Sequence, residues 1–297
     1  MKTTKNDLLV PVDFQLFSLK SIDYAINLKK SLNGKIHLLH VIQYQSWWTS
    51  YFNEKEIVQQ AKEKLELLIK EQNLPDDTTT EVLLGRSYEE IINYAKKINA
   101  RYIVLSDNYP LSKGMKKLGS TVSQVIMRAE RPVITLTEKE ELVFNNVLVP
   151  LDLNESCRMQ LYSSIAMALN HGSKIHMVSV VFNEEQLKSS KIHRKIEKYK
   201  KAYEDSGVDY TIKLLFKEEQ LAYKEILKYA NNTKMDSILI MTHNESARYD
   251  NYLGAFAHHI INDATMPVVS VNNASASFWD SKVATSFSDP LGIFNKK

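Results

Sequence analysis

The sequence contains one cysteine, eight glycines and seven prolines in 297 residues. A lone Cys157 excludes an internal disulfide framework and fits a reducing, cytoplasmic setting. With no general base beside it in the sequence, Cys157 reads as an inert thiol. Charge excess of either sign is small: the formal net charge is +3, which gives no electrostatic footprint for nucleic acid as the main partner. Long apolar runs are missing too. Met1-Lys-Thr-Thr-Lys-Asn-Asp leads directly into the first apolar run, so neither a signal peptide nor a membrane span is expected. What remains is an ordinary globular composition, 44% hydrophobic and 25% charged, with a length that predicts about two domains.

One phrase occurs twice. Residues 8–13 read Leu-Leu-Val-Pro-Val-Asp and residues 147–152 read Val-Leu-Val-Pro-Leu-Asp. Each short apolar run, closed by Pro-x-Asp, predicts a buried strand of a parallel sheet. Its acid, Asp13 or Asp152, then falls at the carboxyl end of the strand, where open α/β sheets place ligands.

The chain alternates strands and helices from there. In the first half strands are expected at 7–12, 35–42, 78–84, 101–106 and 132–136, and helices at 17–32, 54–72, 87–98 and 118–129. Asn33-Gly34 is read as a helix stop with Gly34 in the left-handed cap, and 107–117 as a loop. A charged connector at 137–145 precedes a second cycle. Its strands are expected at 146–151, 174–182, 208–216, 236–242 and 267–271, its helices at 155–170 (ending at Gly172), 184–205, 219–231 and 252–263. This alternation predicts α/β architecture with a parallel sheet and right-handed crossovers.

The repeat is visible residue by residue. Pro11 and Pro150 share an offset of 139 with Ile36-His37 and Ile175-His176. The offset becomes 135 for Tyr88-x-Glu-Ile-Ile-x-Tyr-Ala against Tyr223-x-Glu-Ile-Leu-x-Tyr-Ala, for Gly119 against Gly254, and for Ala129-x-x-Pro-Val against Ala264-x-x-Pro-Val. The expected domains are therefore 1–139 and 145–272, packed as a pseudo-dimer within one polypeptide, followed by a tail at 273–297. The tail's Phe278, Trp279, Phe287 and Phe294 suit either cover for an apolar groove of its own chain or recruitment of a protein partner.

Taken together, the strand with its terminal Asp, Ile-His-Leu-Leu-His-Val, Gly-Arg-Ser-Tyr-Glu-Glu-Ile-Ile and Leu-Gly-Ser-Thr leading to Arg-Pro-Val-Ile resemble the universal stress protein family, in each half. The resemblance implies two tandem doubly wound five-stranded domains with flavodoxin-like winding, strand order 3-2-1-4-5, joined edge to edge through their last strands. It also implies ATP or AMP as a possible ligand. Adenine and ribose would lie over the ends of the first two strands, at Pro11, Val12, Asp13 and Val41. Phosphates would lie on a loop after the fourth strand and on the following helix N-terminus, at Gly119, Ser120 and Thr121.

The family's loop pattern (Gly, two residues, Gly, nine residues, then Gly with Ser or Thr) is damaged here. Ser106 and Tyr109, with Pro110 beside it, replace the upstream glycines of the first half. Met241, Asn244 and Gly254-Ala255 stand in the second. With eight glycines in the whole chain, no other loop can substitute. The plainer readings are helix capping for Asp13 and Asp152, a turn and cap for Gly119-Ser120-Thr121, and solvated charge for Lys113, Lys116 and Lys117. His37 and His40 point to opposite strand faces, and no Cys/His cluster has zinc spacing, so no metal is expected. Trp47 and Trp48 suit an interdomain or homodimer contact as well as base stacking. The expected function is non-catalytic binding in a stress response with degenerate nucleotide sites. A weak ATPase or ATP switch and a nucleotide-free scaffold are the alternatives.

Overall fold

The computed structural model describes residues 6–43, 53–106, 110–111, 115–116, 118–136, 143–153, 158–181, 190–216, 222–242 and 253–275. Tyr109, Lys113, Lys117, Trp47, Trp48, Cys157, Asn244 and the tail aromatics lie outside them. The chain divides into two compact units, Met1–Leu142 and Val143–Lys297.

The first unit runs β1 (Leu8–Pro11), α1 (Leu16–Leu32), β2 (Ile36–Ile42), α2 (Glu54–Glu71), β3 (Thr79–Leu84), α3 (Ser87–Lys97), β4 (Tyr102–Ser106), β5 (Pro110–Leu111), β6 (Met115–Lys116), α4 (Ser120–Arg128) and β7 (Val133–Leu136). Its sheet is ordered β3-β2-β1-β4-β7 and wholly parallel, with Leu8 opposite Ile36 and Ile103 opposite Val133. Counted among the five sheet strands, this is the order 3-2-1-4-5. The second unit runs β8 (Asn146–Pro150), α5 (Arg158–His171), β9 (Lys174–Val181), α6 (Ser190–Ser206), β10 (Tyr210–Phe216), α7 (Ala222–Asn232), β11 (Ser237–Met241), α8 (Ala255–Asp263) and β12 (Val268–Val271). Its sheet, β10-β9-β8-β11-β12, repeats the winding.

Burial accounts for the helical cover. Leu8, Leu9 and Val10 are fully buried, as are Val147, Leu148 and Val149, so both faces of each central strand must be covered by helices. In the first unit α1 packs on β1 and β4, α2 on β2 and β3, and α3 against α4 and β2. α2 shows how local chemistry fixes an element. The Asn53 side chain accepts the Lys55 N–H, Glu54 and Glu56 sit in the first turn, and Ala61, Leu65 and Leu68 make the buried stripe.

Two expectations need correction. The left-handed residue after α1 is Asn33 (φ 52°), and Gly34 has a different task, the close approach of its backbone to Asn6. In the second unit Gly172 does take the left-handed position, at φ 68°. The stretch 107–117 is also not all loop, because β5 and β6 pair antiparallel, Pro110 opposite Lys116. Most other boundaries differ by one or two residues. α4 starts at Ser120 with Gly119 as its N-cap, and residues 154–157, 182–189 and 217–221, which include the expected starts of three helices of the second unit, lie outside the described residues.

The amino ends of the two sheets differ in one informative pair. In the first unit His37 Nε2 lies 3.4 Å from the buried Asp7 carboxylate, with Nδ1 2.6 Å from Thr79 Oγ1. In the second, Asn146 replaces Asp7: His176 Nε2 lies 3.2 Å from Asn146 Oδ1 and Nδ1 2.9 Å from Thr211 Oγ1. Burial, and then Lys174 nearby, pushes the His176 pKa below the usual imidazole value, against the pull of Asp209 and Asp236. The unfolded chain therefore binds the proton first. Stability is expected to fall as pH drops from about 6.5 towards the depressed folded value. Denaturant titrations from neutral pH into this range should show a shallower pH slope in His176→Gln than in the wild type.

Candidate functional site

At the carboxyl ends of β2 and β3 the first unit has a crevice of about 720 Å³, lined by Gln43, Gly85–Glu90, Ser120, Thr121, Gln124 and Arg128. That volume suits a small organic ligand. One wall is the start of α3. The Gly85 N–H donates to Ile42 O, which ties the β3–α3 turn to the end of β2, and Gln43 Nε2 donates to Ser87 Oγ at 2.8 Å. No side chain caps α3 at its N-cap residue Arg86. The Tyr88 hydroxyl donates to Glu89 Oε1 at 2.8 Å and Arg86 Nη1 reaches the same oxygen at 3.3 Å. The tyrosine hydroxyl, and then Arg86, hold the Glu89 carboxyl below the ordinary carboxylate range.

The other wall is the start of α4. Val122, Val125 and Ile126 bury its inner stripe, which turns Thr121, Gln124 and Arg128 towards the crevice. Gly119 gives no side-chain cap, and its carbonyl accepts the Ser123 N–H. Gln124 Oε1 is buried and accepts no hydrogen bond from a described residue. The Arg128 guanidinium stands 5.4 Å from the Tyr88 ring centroid. Hydroxyls, amides, guanidinium groups and an aromatic face thus converge on one hollow.

Ser120 and Thr121 are the sequence-expected residues that line this crevice. Pro11, Val12, Val41 and Ser106 lie at or beside the carboxyl ends of the neighbouring strands β1, β2 and β4. Asp13 is exposed and forms an Asx-type turn, its Oδ1 accepting the Gln15 N–H at 2.9 Å, while Ser18 Oγ accepts the Asp13 N–H. The N-cap of α1 is therefore Gln15 and not Asp13. Beside it Phe14, at φ 60°, lies tilted at 43° against His40 (centroids 4.6 Å apart), whose Nδ1 lies 2.7 Å from Val12 O. Asp152 is also exposed, and its backbone oxygen accepts from Lys195 Nζ at 3.3 Å. No group of three metal-ligating side chains occurs among the described residues.

Gln43, Arg86, Ser87, Tyr88, Gln124 and Arg128 were not anticipated as site residues. Their signal was present as differences between the repeats. At an offset of 135, Ser87, Ser120, Thr121, Gln124 and Arg128 become Ala222, Ala255, Phe256, His259 and Asp263, while Tyr88 stays tyrosine as Tyr223. In the second unit the His259 ring lies on Tyr223, centroids 4.3 Å apart and planes at 10°, with Nδ1 3.9 Å from Asp263.

Two parallel sheets of one winding, in tandem, with a ligand-sized hollow at the carboxyl ends of the strands in the first, define a duplicated doubly wound α/β protein. The chain belongs to the universal stress protein family, whose model matches residues 6–136 and 144–272. It is 25% identical over 143 residues to the universal stress protein MJ0531 of Methanocaldococcus jannaschii, a match covering 45% of this chain and 83% of that one. A universal stress protein of Archaeoglobus fulgidus matches with a TM-score of 0.69 at 20% identity, over 91% of this chain and 99% of that one. A putative universal stress protein of Pseudomonas aeruginosa matches with a TM-score of 0.62 at 12% identity, over 94% and 98%. No helix among the described residues is long and apolar enough to cross a membrane.

Proposed function

We propose that the protein acts in a stress response by binding and not by catalysis, with a nucleotide of the ATP or AMP type as the ligand of the first unit. The observation that carries this reading is the crevice at the start of α4, where Ser120, Thr121 and Arg128 on one wall face Arg86 and Ser87 on the other across a hollow of about 720 Å³. Hydroxyls and guanidinium groups beside a helix start that no side chain caps are suited to phosphate oxygens. The carboxylate at its mouth, Glu89, is engaged by Tyr88 and Arg86, an arrangement that supports holding a ligand more than activating a water. The second unit, with Ala255 and Phe256 at the matching positions, is the degenerate copy. The functional domains are taken as 1–139 and 145–272, with 273–297 as a tail for cover or partner binding. A homodimer and a cytoplasmic location complete the reading.

Isothermal titration of the full chain with ATP and AMP tests it. Saturable binding near one equivalent is expected, abolished by Gly119→Val, with phosphate release no faster than background. Release above background would favour the ATPase reading, and no binding of either nucleotide would leave the scaffold.

A further inference from the structure

We propose that the tail at 276–297 lies along the outward face of α5, so that this helix is a docking surface for the chain's own carboxyl-terminal segment. The two copies of the fold differ at this face. Gln160 Nε2 donates to Pro150 O and Leu239 O, and the Ser164 hydroxyl lies 2.8 Å from the Tyr203 hydroxyl of α6. Gln160 and Ser164, four residues apart, thus mark the side of α5 turned to the sheet and to α6. Tyr162 and Ala166 lie two residues further on from each, so they point away from both.

On α1 the positions that match them, at an offset of 139, are Asp23 and Asn27, with Lys20 and Lys30 before and after. All four are exposed, as a helix face turned from the core should be. On α5 the four positions hold Tyr162, Ala166, Met159 and Leu169. Tyr162 and Ala166 are only 5% and 2% exposed, although they face outward. Among the described elements α5 packs on β9, β11 and α6, which lie on its other side. The burial is present in one chain, so no second copy is needed to produce it.

The tail suits this face by origin, length and chemistry. It follows β12, the neighbour of β11, and α5 packs on β11, so it starts one strand away. The chain leaves β12 through a buried turn: the Asn272 N–H donates to Ser275 Oγ and the Ser275 N–H donates to Asn272 Oδ1, each at 2.8 Å. Residues 276–297, at about 3.3 Å each when extended, outreach the 14-residue α5, about 21 Å long. The tail carries Phe278, Trp279, Phe287, Leu291, Ile293 and Phe294, whereas the second unit's other stretches outside the described residues, at 154–157, 182–189, 217–221 and 243–252, are mostly polar. An apolar stripe where the sister helix has charges, and an apolar tail where the sister copy has none, are complementary changes. This choice of cover over recruitment is independent of whether the first unit binds a nucleotide.

In the full chain, Trp47→Phe with Trp48→Phe leaves Trp279 as the only tryptophan. Its emission is expected to be blue-shifted and weakly quenched by acrylamide, as for a covered indole. Adding Tyr162→Asp with Ala166→Asn, the residues that α1 exposes at these positions, should shift the emission to the red and raise quenching several-fold. Asp23→Asn on α1 should leave the signal unchanged. Photoreactive benzoylphenylalanine at position 162 keeps an aromatic ring there and guards against misfolding of the polar pair. Irradiation of the dilute full chain should join it to peptides from 276–297 of the same chain. Adducts elsewhere in the chain or with a second copy, no adduct at all, or Trp279 emission that the polar pair does not move in a folded chain, overturns the assignment.

Discussion

The double substitution Gln124→His with Arg128→Asp is expected to abolish nucleotide binding by the first unit while leaving its fold intact. The pair transplants the second unit's arrangement. The new imidazole and carboxylate would stand four residues apart on α4, as His259 and Asp263 do on α8. The imported imidazole should stack on Tyr88 as His259 does on Tyr223, and the swap also removes a cation from the crevice. The loss should reach about 50-fold, from the space the imidazole fills and one lost charge-assisted contact. Calorimetry with AMP, alongside a thermal melt close to that of the wild type, measures it. Unchanged affinity in a folded double variant would show that the crevice is not where the ligand sits.

Gly34→Ala should be the most damaging single substitution, costing about 3 kcal/mol or more. A Cβ at this position would stand 1.9 Å from the Asn6 carbonyl oxygen and 2.3 Å from its carbon. Those are backbone atoms and cannot swing aside. They are also held in place: Asn6 Nδ2 donates to Leu32 O, Asp7 Oδ1 accepts the Lys35 N–H, and the Leu8 N–H donates to Lys35 O. Relief of the clash would have to displace the entry to β1, the central strand of the unit. Gly172→Ala is the comparison. There the added methyl meets open space and only the left-handed backbone, φ 68°, resists, at about 1 kcal/mol. Denaturant midpoints of the two variants should separate the effects, and equal losses would argue against the close approach at Gly34.

The parallel sheet was legible because it is written twice and in apolar runs, while its strand order was implied by the family resemblance. Leu8 to Pro11 and Val147 to Pro150 could belong only to strands buried on both faces, and the helical stripes between strands left one class of sheet. The candidate site was legible only in part. Ser120 and Thr121 stand out only because Gly119-Ser120-Thr121 matches the closing Gly with Ser or Thr of the family's loop pattern. Tyr88 and Arg128, far apart in the chain, meet only because α3 and α4 pack side by side, and no local pattern records that packing. Asn33 misled for a related reason. Asn-Gly reads as a left-handed glycine, yet the amide side chain tolerates that conformation, and the glycine was needed for a contact with the distant Asn6.

The same tolerance runs through the fold. Asn33, Asn73 and Asn99 all hold positive φ just beyond helices, in a chain of only eight glycines. Each stores about 1 kcal/mol of backbone strain in the native state. Each also withholds freedom that glycine would grant the denatured ensemble, worth about 0.4–1 kcal/mol in the opposite direction. The two effects nearly cancel. A glycine-poor chain can therefore turn its corners at almost no net penalty, by stiffening the state it leaves as much as it burdens the state it reaches.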